Sequence, residues 1–276
     1  MHMTRELATK KWKRVTLSLL VAISLGLTGG LSGRGPVIAQ SETTRRVSAP
    51  YFTDEVWFSK MSVFWFGRVT PTENYTDVRV GYNDEKLRIR VSVFDRRLWY
   101  DEAAEAADPG SLTDWDAAAL YLSLDGNEGS APSSNAYRFI SQLSAWEPRE
   151  NYQAVQQGDG SSWVVSTAPF ATTIHWRGDA PNTGQDDRGW AITYDIPFES
   201  LGLDGPPQEG TTWGLSVVVH DRDDEAGTTI PDKIWPETLS PQQPETWGQL
   251  VFGLPNHTPP STVSDPELTV IREKLN

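Results

Sequence analysis

The chain has 276 residues, a length that suits one large β domain or two small ones. It contains no cysteine, which excludes disulfides, thiol catalysis and cysteine-ligated metals. Its formal net charge is −13, and an acidic surface of this kind repels nucleic acid and anionic lipid. We therefore expect a neutral ligand or a cation as the partner.

Residues 1–39 have the pattern of a secretory signal peptide. Four basic side chains precede an apolar run at residues 15–27, and a small-residue site ends at Ala39. The apolar run is short for a membrane span, which needs about 20 residues, and an uncleaved N-terminal anchor is the alternative. Removal of this segment leaves 18 basic and 36 acidic side chains, or a net charge of −18. The sequence thus predicts a secreted protein, extracellular or periplasmic, with no integral membrane span.

Residues 40–49 are polar and are predicted to be a linker. From residue 50 to residue 254, short apolar runs are separated by Gly, Pro, Asn and Asp, a pattern typical of β-strands joined by turns. The clearest case is residues 76–95, where two alternating apolar runs flank the turn sequence NDEK. This stretch predicts a hairpin with one buried face.

Further strands are predicted along the rest of residues 50–254, and no internal repeat is evident. About ten short strands without helical crossovers favour an all-β fold, an antiparallel β-sandwich in a single domain. Residues 255–276 form a C-terminal tail with a possible short helix. In that helix Ser264 or Asp265 would be the N-cap and Pro266 the first helical residue.

Several of these strand motifs resemble those of carbohydrate-binding module family 9, which is grouped with the DOMON-like β-sandwiches. GWAITYDIPFESLGL, GTTWGLSVVVHDRD and PETWGQLVF resemble the second half of that family, and YNDEKLRIRVSVFD and DWDAAALYLSLDG resemble the first half. The resemblance covers residues 48–253 and implies a sandwich that binds sugars or haem.

The resemblance also implies a sugar site, in which two tryptophans hold a glucose-type ring at one end of the sandwich. Arg138 matches the arginine of that site, and Trp115 lies near the position of the first tryptophan. The family's glutamate and glutamine fall on Ala119 and Val218, and the loop of the second tryptophan contains only Trp235, at its beginning. The family's polar contacts are therefore only partly present.

Two aromatic residues, Trp99 and Tyr100, follow the predicted strand that ends before Asp95. They suggest a replacement platform on which a sugar ring stacks. Candidate ligand-binding residues are thus Trp99, Tyr100, Trp115, Arg138, Trp146 and Trp235. The alternative is that Trp99 and Tyr100 fold back and close an open end of the sandwich.

Five other tryptophans are predicted to pack in the core. They alternate with polar residues or precede glycine within predicted strands, and they are Trp57, Trp65, Trp190, Trp213 and Trp247.

Asp221, Asp223 and Asp224 cluster at a predicted strand end and are candidate ligands for calcium, which prefers several oxygen ligands. The alternative is that they are solvated turn carboxylates. Haem is the less favoured cofactor, because an axial ligand is needed. After residue 39 the histidine and methionine candidates are Met61, His175, His220 and His257.

No catalytic motif is present, and the sequence favours a protein that is not an enzyme. The leading hypothesis is non-catalytic binding of a carbohydrate by aromatic stacking. The alternatives are a haem-binding electron-transfer domain and a structural or partner-docking sandwich with a decayed sugar site.

Overall fold

The computed structural model describes residues 44–70, 73–103, 108–144 and 149–254. The predicted signal peptide and the predicted C-terminal helix lie outside these ranges and stay predictions. In the described residues, no helix is long and apolar enough to cross a membrane. The helical elements there are 3₁₀ turns of three or four residues.

One sheet has five antiparallel strands in the spatial order β2-β3-β4-β10-β9. Its strands are β2 (Ser62–Thr70), β3 (Glu73–Tyr82), β4 (Lys86–Phe94), β9 (Ala171–Arg177) and β10 (Gly189–Pro197). The predicted hairpin is confirmed as β3 and β4, with Val78 opposite Val91. At its turn, the Asn83 Oδ1 atom accepts hydrogen bonds from the backbone N–H groups of Glu85 and Lys86.

The other sheet has eight strands. They are β1 (Arg46–Ala49), β5 (Ala117–Ser123), β6 (Ala136–Gln142), β7 (Gln153–Gly158), β8 (Trp163–Ser166), β11 (Thr212–His220), β12 (Lys233–Trp235) and β13 (Gly248–Phe252). Their order is β1-β13-β11-β5-β6-β7-β8, and β12 pairs with β11. The two sheets confirm the predicted all-β sandwich.

The main core lies between the two sheets and follows the period-two alternation of the strands. In β4, for example, Leu87, Ile89 and Val91 are fully buried. A hydrogen bond of 2.7 Å from the Tyr194 hydroxyl of β10 to the Ala118 carbonyl of β5 joins the sheets across this core. Burial of each such aliphatic side chain stabilises the fold by about 1.5–3 kcal/mol.

The structure differs from the prediction at the N-terminal edge, where a linker was expected at residues 40–49. Arg46–Ala49 form β1, which pairs in parallel with β13. Val47 and Ala49 are buried in the core, so two small apolar residues suffice to dock a segment that is otherwise polar.

The outer faces of the two sheets differ. The outer face of the eight-stranded sheet carries a second apolar cluster, in which strand residues such as Tyr121 and Val218 pack under Leu112, Leu239 and Trp247 from the connections. We call this the covered face. The outer face of the five-stranded sheet has no such cluster among the described residues, and its outward side chains are partly exposed.

The prediction that five tryptophans pack in the core is confirmed for Trp190, Trp213 and Trp247, which are at most 3% exposed. It is wrong for Trp57 and Trp65, which are 60% and 62% exposed. Trp57 lies in the segment before β2, and Trp65 points outward from β2, which is an edge strand of the five-stranded sheet.

Candidate functional site

A groove of about 720 Å³ crosses the outer face of the five-stranded sheet. Its floor is low because the outward residues at its centre are small: Ser92 of β4 lies opposite Ala191 of β10. Longer side chains on either side form its walls. We call it the open-face groove, and it is lined by Phe58, Asp77, Arg79, Arg90, Ser92, Val93, Phe94, His175, Trp176, Arg177, Arg188, Gly189, Trp190 and Ala191.

The shape of the groove depends on a glycine, Gly189, at the first position of β10. Gly189 has a φ of 117°, and a Cβ atom there would lie 2.1 Å from the backbone carbonyl oxygen of Val93. Only glycine adopts such a backbone conformation and permits so close an approach at no steric cost. Any side chain at this position would push β10 away from β4.

Two exposed phenylalanines stand at the walls of the groove. Phe94 is 57% exposed, and its ring centroid lies 5.6 Å from that of Tyr75 on β3. Phe58 is 46% exposed and lies beneath the guanidinium groups of Arg79 and Arg90, at 4.0 and 5.1 Å. The exposed ring of Phe94, at the end of β4, provides a plane on which the C–H face of a sugar ring can stack.

Two of the four arginines of the groove are held by neighbours on the same face. Arg79 donates a hydrogen bond of 3.0 Å to Asp77, and Arg90 donates one of 3.1 Å to the Thr193 hydroxyl. The side chains of Arg177 and Arg188 are exposed at the far wall. The groove therefore offers guanidinium donors beside aromatic planes.

The structure corrects the predicted aromatic platform at Trp99 and Tyr100, which are only 9% and 4% exposed. The backbone of Trp99 exchanges hydrogen bonds with Asp116, and the side chain of Asn182 pairs with the backbone of Tyr100. These contacts turn both rings inward, so the alternative, closure of the sandwich end, describes them.

The remaining predicted aromatics do not gather around one surface. Trp235 is buried, and its ring centroid lies 4.1 Å from that of Phe64 in the core. Trp115 is half-buried beside Gly227. Trp146 lies outside the described residues.

The polar sugar-site positions implied by the resemblance lie on the covered face. Arg138 is half-buried, donates a hydrogen bond of 3.1 Å to Gln156, and lies 5.4 Å from the Tyr121 ring centroid. Ala119 and Val218, where the family's polar residues would be, are buried in the apolar cluster of this face. The loss of two polar side chains thus coincides with the packing of apolar residues over the same surface.

A cluster of carboxylates lies where strands of both sheets end. One oxygen from each of Asp95, Asp221 and Asp223 falls within 4.8 Å of the others. Two of the three predicted calcium ligands, Asp221 and Asp223, lie in this cluster, and its third carboxylate is Asp95 instead of Asp224. Asp224 is exposed and accepts a hydrogen bond from the backbone N–H of Thr228 within its own turn.

One basic side chain and a fourth carboxylate complete this cluster. Lys233 donates a hydrogen bond to Asp221, and the buried Asp116 accepts hydrogen bonds from the backbone N–H groups of Trp99 and Arg222. Burial, together with the neighbouring Asp221 carboxylate, raises the pKa of Asp95 well above its usual range. Burial and the Asp95 carboxylate do the same to the pKa of Asp116.

The residues considered as axial haem ligands lie in different places. Met61 is buried beside Gly81, His175 is exposed on the groove, and the Nδ1 atom of His220 lies 2.9 Å from Asp232. His257 lies outside the described residues.

The fold is similar to that of carbohydrate-binding module family 9. A module of this family from Caldicellulosiruptor kristjanssonii, solved with glucose, superposes with a TM-score of 0.54 at 14% sequence identity, over 78% of this chain and all of that one. The same organism's module solved with cellotriose gives a TM-score of 0.51 at 14% identity, over 79% of this chain and all of that one.

A Bacteroides uniformis protein that is proposed to bind carbohydrate gives a TM-score of 0.54 at 12% identity, over 76% of this chain and all of that one. No family model and no curated protein matches the sequence. At these identities the similarity defines the fold alone.

Proposed function

We propose that the chain is a secreted, non-catalytic module that binds a glycan in the open-face groove by aromatic stacking. The observation that carries this proposal is the exposed Phe94 ring, held against Tyr75 beside a low floor of Ser92 and Ala191. A folded sheet presents such a ring at a low cost in side-chain entropy. The neighbouring hydrogen-bond donors suit the hydroxyl rim of a sugar.

The similarity to sugar-binding modules supports this choice of ligand class, while the location differs from the one that the family resemblance implies. That location, the covered face, presents an apolar cluster in which Trp247 is 1% exposed. A ligand there would have to displace packed side chains, whereas the groove has open volume.

The proposal is tested by affinity electrophoresis of the full chain, in gels that contain soluble neutral or acidic polysaccharides. We expect at least one polysaccharide to retard the wild-type protein and not the Phe94→Ala variant. Tyr51→Ala is the matched control, because Tyr51 is a 44% exposed aromatic residue outside the groove. Migration unchanged in every gel, or retardation that survives Phe94→Ala, would contradict the proposal.

We also propose that Asp95, Asp221 and Asp223 hold a calcium ion. Three carboxylate oxygens within 4.8 Å match the ligand type that calcium prefers. Calcium should then raise the melting temperature at neutral pH, and Asp223→Asn should abolish that rise. An equal response of the wild type and the variant would contradict the assignment.

A further inference from the structure

We infer that the open-face groove selects acidic saccharides, whose carboxylate or sulfate groups bind its arginines while a ring stacks on Phe94. This inference rests on the proposed function and adds the chemical class of its ligand. Four arginines and one aspartate line the groove, in a chain whose net charge is −13. The positive charge is therefore concentrated where the aromatic plane is exposed.

The guanidinium groups of Arg79 and Arg90 both lie over the ring of Phe58. Their guanidinium carbons lie 4.0 and 5.1 Å from the ring centroid of Phe58. Strand register also places the two residues directly opposite each other on β3 and β4. Like charges directly opposite on a sheet destabilise it, so this pair has a cost that an anion between the guanidinium groups would relieve.

Of the four arginines in the groove, only Arg79 has an ion-pair partner among the residues that the structure describes. Asp77 pairs with Arg79 at 3.0 Å. In the part of the chain that the structure describes, no carboxylate lies within ion-pair distance of Arg90, Arg177 or Arg188. Burial and the charges of Arg79 and Arg177 lower the pKa of Arg90, which agrees with an excess of positive charge at this point.

The arginines of the groove suit a ligand that carries carboxylate or sulfate groups. A guanidinium group presents a planar fork of donors that matches the two oxygens of a carboxylate or a sulfate. Arg177 and Arg188 lie at the end of the groove away from Arg79, with their backbones joined by a hydrogen bond of 2.8 Å. Charged groups thus lie on two sides of the low floor, an arrangement suited to a chain with an acidic group on successive sugar units.

The negative net charge of the protein predicts a neutral ligand or a cation. Inside the groove, the nearby arginines outweigh that net charge. Charges in solution are screened beyond about 8 Å at physiological ionic strength. An acidic group inside the groove is therefore governed by the arginines around it and not by distant carboxylates.

The test compares matched polymers by affinity electrophoresis of the full chain. Polygalacturonate is set against its methyl ester, which keeps the sugar backbone and removes the charge, and dextran sulfate is set against dextran. We expect an acidic polymer to bind at least about tenfold more tightly than its neutral partner. The acidic polymer that binds shows whether the preferred group is a carboxylate or a sulfate.

The variant Arg177→Gln/Arg188→Gln should weaken that binding about tenfold or more, because two exposed charge-assisted contacts are lost without disturbing the core. Arg45→Gln is the control, since Arg45 is exposed, pairs with Glu237 and lies outside the groove. Equal binding of charged and neutral polymers that Phe94→Ala abolishes would overturn the inference and leave the proposed function standing. Binding unaffected by the double variant would also overturn the inference, and no binding to any polymer would overturn both.

Discussion

The two outer faces of this sandwich make opposite use of similar residues. On the covered face, Trp163 and Trp247 stack with ring centroids 6.2 Å apart, and Tyr121 packs against both. On the open face, Phe94 and Tyr75 form a comparable pair, yet Phe94 is 57% exposed. The difference lies in what covers each sheet: connections carrying Leu112 and Leu239 pack over the first face, and among the described residues no such apolar cluster covers the open face.

This comparison shows that an aromatic cluster on a sheet is not by itself a binding site. The covered face has buried its aromatic residues among aliphatic ones, and its stability depends on them. The open face carries its aromatic residues beside arginines, which favour hydration over packing. The following experiments separate a stabilising face from a binding face, in order of expected loss of stability.

The largest effect is expected for Trp247→Ala on the covered face. The substitution leaves a cavity beside Tyr121 and removes the hydrogen bond of 3.0 Å from the Trp247 indole N–H to the Ser240 carbonyl. Chemical denaturation should show a loss of about 3–5 kcal/mol in the free energy of unfolding. Glycan binding by the fraction that remains folded should be unchanged, and a stable variant that fails to bind would reverse the roles of the two faces.

A smaller effect is expected when a polar group is placed on the covered face. Val218→Gln introduces the residue type that the family resemblance implies there, at a position only 3% exposed. We expect a loss of about 1–3 kcal/mol in unfolding free energy, because the amide would be buried without its full set of hydrogen bonds. Neutral-sugar binding gained at unchanged stability would indicate that this face is still a working site.

The carboxylate cluster between the sheets predicts that the stability difference between the wild type and Asp95→Asn depends on pH. Because the pKa of Asp95 is raised in the folded state, the folded protein holds a proton that the unfolded chain releases at lower pH. Its contribution to stability is complete below the unfolded pKa and is lost as the pH rises through the folded pKa. The stability of wild type relative to Asp95→Asn should therefore fall from pH 4 towards neutral pH, and equal pH profiles in urea denaturation would contradict this.

The smallest loss of stability is expected for Phe94→Ala on the open face. Its ring is 57% exposed and pairs with that of Tyr75, so the free energy of unfolding should fall by about 0.5 kcal/mol or less. The same variant should lose glycan binding. A stability loss comparable to that of Trp247→Ala would show that Phe94 is part of the packing and would remove the contrast between the faces.

Strand patterns made the sandwich predictable from the sequence, because alternation in β3 and β4 is unambiguous. The faces were harder to assign. In β2 both registers are apolar, with Val63 and Trp65 on one side and Phe64 and Phe66 on the other, so periodicity could not identify the exposed side. The groove was harder still to predict, because its arginines are far apart in the sequence. Arg79, Arg90 and Arg177 lie on β3, β4 and β9, which only the sheet register brings together, and Arg188 directly precedes β10.

The inward turn of Trp99 and Tyr100 depends on residues distant along the chain. Asp116 and Asn182 make hydrogen bonds to the backbone of Trp99 and Tyr100. The sequence next to Trp99 cannot predict these contacts, because the two partners lie far along the chain. The same holds for Asp95, which joins Asp221 only because the ends of β4 and β11 meet. Long-range pairing therefore decided the positions of Trp99, Tyr100 and Asp95, which the local sequence could not predict.

The parallel pairing of β1 with β13 has a mechanical consequence. Arg46 lies opposite Gln249, and Ala49 opposite Phe252, so the chain enters at one end of this strand pair and leaves at the other. Tension applied through the two ends of the domain slides β1 along β13 and loads their hydrogen bonds simultaneously, instead of peeling them apart one after another. A chain pulled through these two strands would thus be loaded in shear, with all the hydrogen bonds of the pair sharing the force.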